Sequence, residues 1–292
     1  MTIETSTKVI TKRIVIIGAA SGIGAHCALH FAKEHGARVA LLDQDVMGLE
    51  SLRKHLQNSH PELFQSISRP LRFPLEHIPG DKMLFMTSNY ISEASLKSSI
   101  ELIIRLWGGI DGLVNNQGFG PQSVLSSKPI ELMSFEEFES ILRYNLSAHW
   151  LASKVFIDPL SQTSGSIVNL TSIRATQSEP DWESFAICKS GIIGLTHSSA
   201  SSFSSRCVRV NAISSGWIDI RDAKMDSVNR FPGANVPPLL PGDNSQHWSG
   251  RVGNGTDVAK LAWFLINREL SEFIDGQCYT IDGGVSKKMN YT

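Results

Sequence analysis

Ile14-Val15-Ile16-Ile17-Gly18-Ala19-Ala20-Ser21-Gly22-Ile23-Gly24 is an unbroken apolar run that ends in a cluster of glycines. Four bulky aliphatic residues in a row suit a strand buried on both faces, as inside a parallel sheet. The glycines let the chain turn tightly with no Cβ between backbone and ligand. The amphipathic stretch that follows predicts a helix over Ala25–His35, whose free N–H groups and positive dipole end favour a pyrophosphate. Asp43 stands 19 residues beyond Gly24, at the end of a second apolar run, Arg38–Leu42. A carboxylate there bonds both hydroxyls of an adenosine ribose and repels a 2′-phosphate. Gln44 follows it, not Arg or Lys. Gly18, Ser21, Gly22, Ile23, Gly24 and Asp43 are therefore expected to hold NAD(P)(H), with NAD favoured and NADP left open.

Outward from this turn, short apolar runs alternate with longer amphipathic stretches, the pattern of a parallel sheet covered by helices. Further strands are predicted at Lys82–Met86, Gly112–Val114, Ser166–Leu170, Val208–Ala212 and Gln277–Ile281. Seven strands with helical spacers predict an α/β, doubly wound fold in one domain spanning residues 1–292. Two regions break the rhythm. Residues 60–80 hold four prolines and read as an insertion, and residues 217–255, with Pro232, Pro237, Pro238 and Pro241, read as a substrate lid.

Composition narrows the function classes. Lys and Arg number 27 against 28 Asp and Glu, so nothing marks the chain for nucleic acid or an anionic membrane. Hydrophobic residues at 41% and charged residues at 19% suit a folded soluble protein rather than a disordered one. No apolar run reaches the roughly 18 residues of a spanning helix, and the polar start of the chain lacks the apolar core of a signal peptide. Cys27, Cys188, Cys207 and Cys278 form no C-x-x-C pair. No metal site or disulfide framework is expected, and a reducing, cytoplasmic setting is. The expected partner is a small molecule.

Five further segments follow at set intervals. Asn115-Asn116-Gln117-Gly118 comes directly after Val114, and Asn145 stands within Arg143-Tyr144-Asn145-Leu146. Ser166-Ile167-Val168-Asn169-Leu170-Thr171-Ser172 and Arg209-Val210-Asn211-Ala212-Ile213-Ser214-Ser215-Gly216 are the next two, and Asp282-Gly283-Gly284 is the last. With the glycine turn, these resemble in order the motifs of the short-chain dehydrogenase/reductase superfamily over roughly residues 10–286. Gln117 replaces Ala in the N-N-A-G signature, and Ser215 replaces Pro in N-x-x-x-P-G. The resemblance implies a seven-stranded Rossmann-type sheet and assembly as a homodimer or homotetramer. It implies cofactor contacts from Asn115 and Lys189, a structural Asn145 in the active site and a catalytic Ser172. Ser88 falls where the family often has Asp beside the adenine, which passes that contact to the backbone of Ser88 or Asn89.

The family's working pair is Y-x-x-x-K, with the tyrosine 13 residues after the catalytic serine. Here that position is Phe185, and Lys189 follows four residues later. A phenyl ring has no proton to give, so ketone reduction by the family's route is expected to be severely impaired. Three readings follow. The first is hydride transfer to an iminium carbon, which needs an anion nearby rather than an acid. Glu179, Asp181 and Glu183 supply carboxylates just before Phe185, and Trp182 supplies an aromatic face for a flat substrate. Pro180-Asp181-Trp182, with Arg143 ahead of Tyr144-Asn145, also resembles fungal proteins of indole alkaloid biosynthesis that are similar to short-chain dehydrogenases, lack the tyrosine, and reduce iminium intermediates or guide cyclisations. The second reading is a non-redox cyclase of Pictet–Spengler or Diels–Alder type that uses the cofactor as a scaffold and gains up to about 7–11 kcal/mol from substrate orientation. The third is a non-catalytic binder that senses NAD(P).

The expected catalytic set is Ser172, Lys189, Asp181 and Asn145. The expected pocket comprises Arg143, Trp182, Phe185, Trp217 at the start of the lid, and Trp248 within it, where Phe231 also lies.

Overall fold

The computed structural model of the chain describes residues 11–20, 22–64, 82–118, 128–220 and 239–289. Seven parallel strands form the sheet: β1 (Arg13–Ile17), β2 (Arg38–Asp43), β3 (Met83–Thr87), β4 (Gly112–Asn115), β5 (Ser166–Ser172), β6 (Arg209–Ser215) and the last strand, Cys278–Ile281. Two short strands, β7 (Ile218–Asp219) and β8 (Gly253–Asn254), pair with each other ahead of that last one, β9. The main sheet runs β3-β2-β1-β4-β5-β6-β9. All seven expected strands are present. β2, β3 and β4 end one residue later than expected, and β5 and β6 run two and three residues further, because Thr171 and Ser172 continue the ladder opposite Ser214 and Ser215. The β7–β8 pair was not expected. It lies within the region read as a lid, where two residues per strand leave no periodicity to read.

The helices are α1 (Gly22–His35), α2 (Val46–Ser59), α3 (Glu93–Trp107), α4 (Phe135–Leu142), α5 (Ala148–Ser161), α6 (Glu183–Phe203), α7 (Pro241–Ser245), α8 (Gly255–Ile266) and α9 (Arg268–Ser271). One apolar layer joins α1, α2 and α8 to one face of the sheet through residues such as Phe31, Leu49 and Trp263. A second joins α3 and α5 to the other face through Leu96, Ile103 and Phe156. β1 alternates between them: Ile14 and Ile16 enter the first layer, Val15 and Ile17 the second. That two-sided burial is the reason the strand is uniformly aliphatic.

The chain leaves β1 for β2 on one side and returns to β4 on the other, so the strand order reverses at β1. Loops leaving the carboxyl ends of β1 and β4 diverge there and open a crevice, the usual ligand position in such sheets. The glycine turn, Asp43, Asn115–Gly118 and Ser172 stand at the carboxyl ends of β1, β2, β4 and β5. The proline-rich stretch lies outside the described residues over 65–81, as do 221–238 of the lid with Phe231.

Candidate active site

The glycine turn is held from the neighbouring strand. Gly18 has φ +76°, and a Cβ on it would sit 2.8 Å from the backbone of Asn116 and Gln117. A Cβ on Gly24 would sit 2.3 Å from the Gly18 carbonyl oxygen. The Asn116 side-chain Nδ2 donates to that same oxygen at 2.7 Å. Helix α1 begins at Gly22, three residues ahead of the expected start, because the turn itself forms the first helical turn. Gly22 and Ile23 remain partly exposed there, with Ile220 beyond β7 close over Gly22. Ser21 lies outside the described residues. Asp43 ends β2 with one carboxylate oxygen accepting from the Ala20 N–H at 2.9 Å and the other from the Asp45 N–H at 3.0 Å. Burial raises its pKa, and these two donors oppose the rise. A backbone open at a helix N-terminus, beside an anchored acid, fits a dinucleotide.

Two expected cofactor contacts involve groups that also have partners within the chain. The Asn115 side chain, wholly buried, donates to Asn169 Oδ1 at 2.8 Å, and Asn169 donates to Thr196 at 3.0 Å. Asn115 therefore ties β4 to β5 and α6, while Asn116 serves the turn. The Ser88 N–H is taken by the Asp43 carbonyl at 2.8 Å and the Asn89 N–H by Ser95 Oγ at 2.9 Å, so neither N–H is left for an adenine.

The catalytic candidates gather between β5, α6 and the turn joining α4 to α5. That turn, Arg143–Ser147, is π-helical. The Ala148 N–H reaches back to the Arg143 carbonyl, and this extra residue per turn places Asn145 in the interior, where its Nδ2 donates to Ile141 O at 3.0 Å. On α6, Phe185 and Lys189 are one turn apart and share the buried face. Thr171 Oγ1 donates to the Lys189 carbonyl at 2.8 Å and fixes α6 to the end of β5. The Lys189 ammonium lies 5.3 Å from the Phe185 ring centre and donates to Leu170 O at 3.5 Å. Burial pushes its pKa down to about 8. A Cβ on Gly118 would come 3.2 Å from Asn145 Oδ1 and 3.4 Å from Lys189 Nζ, so that glycine keeps a space open between them. Ser172 Oγ accepts from the Arg174 N–H at 3.2 Å at the end of β5.

Beyond Phe185 the site runs outward through stacked groups. Trp182 meets Phe185 edge-on at 5.5 Å, and the Arg174 guanidinium lies 4.1 Å from the centre of the Trp182 ring. Arg174 is also paired with Glu179. The ring face expected to receive a flat substrate thus carries a cation held from both sides. Arg174, two residues past Ser172, was not anticipated. Asp181 is partly exposed with φ +68°, and its carbonyl accepts from the Lys128 N–H at 2.9 Å. Glu183 and Arg143 are exposed. Trp217 is half-exposed at β7, and Trp248 lies against Gly284 after β9, where Gln177 Nε2 also bonds the Ser286 carbonyl.

Of the four tyrosines, Tyr291 lies outside the described residues. Tyr90 is buried with its hydroxyl on Gln44, Tyr144 packs edge-on against Tyr90, and Tyr279 is part of β9. Among the described residues no His, Cys, Asp and Glu group forms a metal site, and no helix is long and apolar enough to cross a membrane.

Residues 76–286 match the enoyl-(acyl carrier protein) reductase family. An uncharacterized oxidoreductase of Thermotoga maritima is 34% identical, over 96% of this chain and 98% of its own length. The 3-oxoacyl-[acyl-carrier-protein] reductase FabG of the same organism is 30% identical, over 94% and 97%. Among solved structures, an apo SCOR enzyme from Clostridium thermocellum superposes with a TM-score of 0.74 at 28% identity, over 97% of this chain and 96% of that one.

Proposed function

The chain belongs to the short-chain dehydrogenase/reductase superfamily of NAD(P)-dependent oxidoreductases, and from that premise we propose that it reduces the carbon–nitrogen double bond of a small imine or iminium substrate. The observation that carries this reading is Phe185, whose ring faces Lys189 at the position where the family carries its tyrosine hydroxyl. A ketone becomes an alkoxide on reduction and needs a strong, placed acid. An iminium carbon becomes a neutral amine on accepting hydride and needs none.

Bound NAD(P)H supplies the hydride. The chain's own residues do the rest. Gly18, Gly22 and Gly24 admit the pyrophosphate to the N-terminus of α1, and Asp43 takes the ribose hydroxyls and favours NAD over NADP. Ser172 orients the substrate nitrogen, the Phe185 and Trp182 rings wall the pocket, and Asp181 on its rim offers an anion to a cationic substrate. The working unit is a single domain over residues 1–292, assembled as a homodimer or homotetramer.

A second reading, carbonyl reduction with water as the acid, is favoured by the 30% identity to a 3-oxoacyl reductase. One assay separates them: nicotinamide absorbance followed with a cyclic imine and with a 3-oxoacyl thioester, using NADH and NADPH in turn. Imine reduction faster by about two orders of magnitude, the scale of a missing general acid, supports the first reading, and faster thioester reduction overturns it. Cyclised product with unoxidised cofactor would replace both by non-redox catalysis.

A further inference from the structure

The proposed chemistry assigns no task to Arg174, although both of its ends meet the site. Its N–H donates to Ser172 Oγ at 3.2 Å, and its guanidinium lies 4.1 Å from the centre of the Trp182 ring, whose edge meets Phe185. The backbone around it is fixed. Ser190 Oγ on α6 donates to the Ala175 carbonyl at 2.8 Å, and Gln177 Nε2 donates to the Ser286 carbonyl at 3.0 Å. The head is held differently. A guanidinium stacked on an aromatic face keeps the N–H groups of its planar edge available. Among the described residues only Nη2 is bonded, to Glu179, and Nε and Nη1 have no acceptor. Glu179 lies outside any helix or strand with its side chain 56% exposed, against 31% for Arg174. An ion pair this open to water contributes little and is readily exchanged.

We infer that the substrate of this site carries a carboxylate, and that Arg174 is the specificity-determining residue that receives it, releasing Glu179 to water. The inference rests on the imine reading above and narrows it to a cyclic imine bearing a carboxylate, a zwitterion once its nitrogen is protonated. The charges at the rim are arranged for such a molecule. Asp181 and Trp182 are consecutive, so a single ring has a carboxylate next to it in the chain and a guanidinium over it. Asp181 matches the iminium end of the substrate and Arg174 the carboxylate end. The planar fork of a guanidinium offers two parallel N–H donors to a carboxylate, which gives direction as well as charge. Before substrate binds, Glu179 stands in for that carboxylate, neutralising the guanidinium and holding it over Trp182. A substrate carboxylate against the Trp182 ring is shielded from water on that side, so its attraction to Arg174 is screened less than that of the exposed Glu179.

The probes are 3,4-dihydroisoquinoline-3-carboxylate and its methyl ester, which share a ring system and differ in the charge. Titrated calorimetrically into protein loaded with oxidised cofactor, the carboxylate is expected to bind about tenfold more tightly than the ester, the scale of one charge-assisted hydrogen bond. With reduced cofactor, nicotinamide absorbance should show the same preference in KM and little of it in kcat. Arg174→Gln should erase the preference in both measurements. Arg174→Lys, which keeps the charge but loses the fork, should retain only part of it. Glu179→Gln, which removes the competing carboxylate, should strengthen it. Binding of neither probe, equal affinity for the two, or a preference that survives Arg174→Gln, as it would if Arg174 only shaped the loop, would overturn the inference. Cofactor oxidation by both probes without preference would leave the imine reading standing alone. Arg174-dependent binding of the carboxylate with no cofactor oxidised by either probe would instead remove the imine reading and keep the carboxylate subsite.

Discussion

The Lys189 ammonium lies over the Phe185 ring, 5.3 Å from its centre, with no carboxylate bonded to it among the described residues. A cation over a phenyl face is stabilised by the ring quadrupole but has nothing to which it can pass charge. This pair governs what chemistry the crevice can perform, and the first prediction follows from it.

Phe185→Tyr adds a hydroxyl at the ring's edge, in the ring plane, whereas Lys189 lies over the face. The lysine is therefore poorly placed to lower that hydroxyl's pKa. Ketone reduction is expected to rise less than about tenfold, well short of the 10²–10⁴ of a working general acid. Cofactor oxidation with a ketone series measures this, and a gain of about a thousandfold would contradict it.

Gly24→Ala places a Cβ 2.3 Å from the Gly18 carbonyl oxygen and 2.8 Å from Asn116 Nδ2. The neighbour on one side is backbone, so the turn has to move. A stability loss of about 1–3 kcal/mol is expected, together with weaker cofactor binding. Asn116→Ala removes one hydrogen bond and should cost about 0.5–1.5 kcal/mol. Denaturant unfolding and calorimetric cofactor titration read both.

Asp181 adopts φ +68°, a left-handed conformation that Asn tolerates and Ala does not. Asp181→Ala is expected to cost about 1–2 kcal/mol of stability, and Asp181→Asn close to none. A fall in turnover of a cationic substrate in the Asn variant, with cofactor affinity unchanged, then reads the charge alone. Equal loss of both would show that the residue only shapes the loop.

Lys189 has its pKa lowered to about 8 by burial, from an ordinary 10.5. Between those values the unfolded chain holds a proton that the folded chain has released, so its contribution to stability rises with pH across this window. The Cys188 thiol, which burial raises from 9.0 to about 11, contributes with the opposite sign in part of this window, but it does so equally in Lys189→Met and cancels in the comparison. Relative to Lys189→Met, the wild-type protein should therefore gain stability between pH 8 and 10.5, as measured by urea unfolding at several pH values. A difference that stays flat would show that folding does not lower the pKa of this lysine.

Asp43→Ala should weaken NAD binding and narrow the gap to NADP, since it removes both the ribose acceptor and the negative charge facing a 2′-phosphate. Its loss also frees the Ala20 N–H. Calorimetric titration with both cofactors checks it, and an unchanged ratio would remove the NAD preference.

The seven strands, the glycine turn and the Phe185–Lys189 pair were legible in the sequence because each depends on local spacing. Alternation and apolar runs set strand and helix, and four residues on a helix put two side chains on one face. Tertiary structure alone decided which asparagine serves the turn. Asn115 and Asn116 are adjacent in sequence, yet Asn115 faces Asn169 on β5 and Asn116 reaches Gly18, 98 residues away. The Arg174–Trp182 contact was likewise hidden, as was the burial of His149 beside the Asn115 and Asn145 carbonyls. Their members come from different elements, and what each polar atom meets depends on strand order and helix docking, which residue spacing along the chain does not encode.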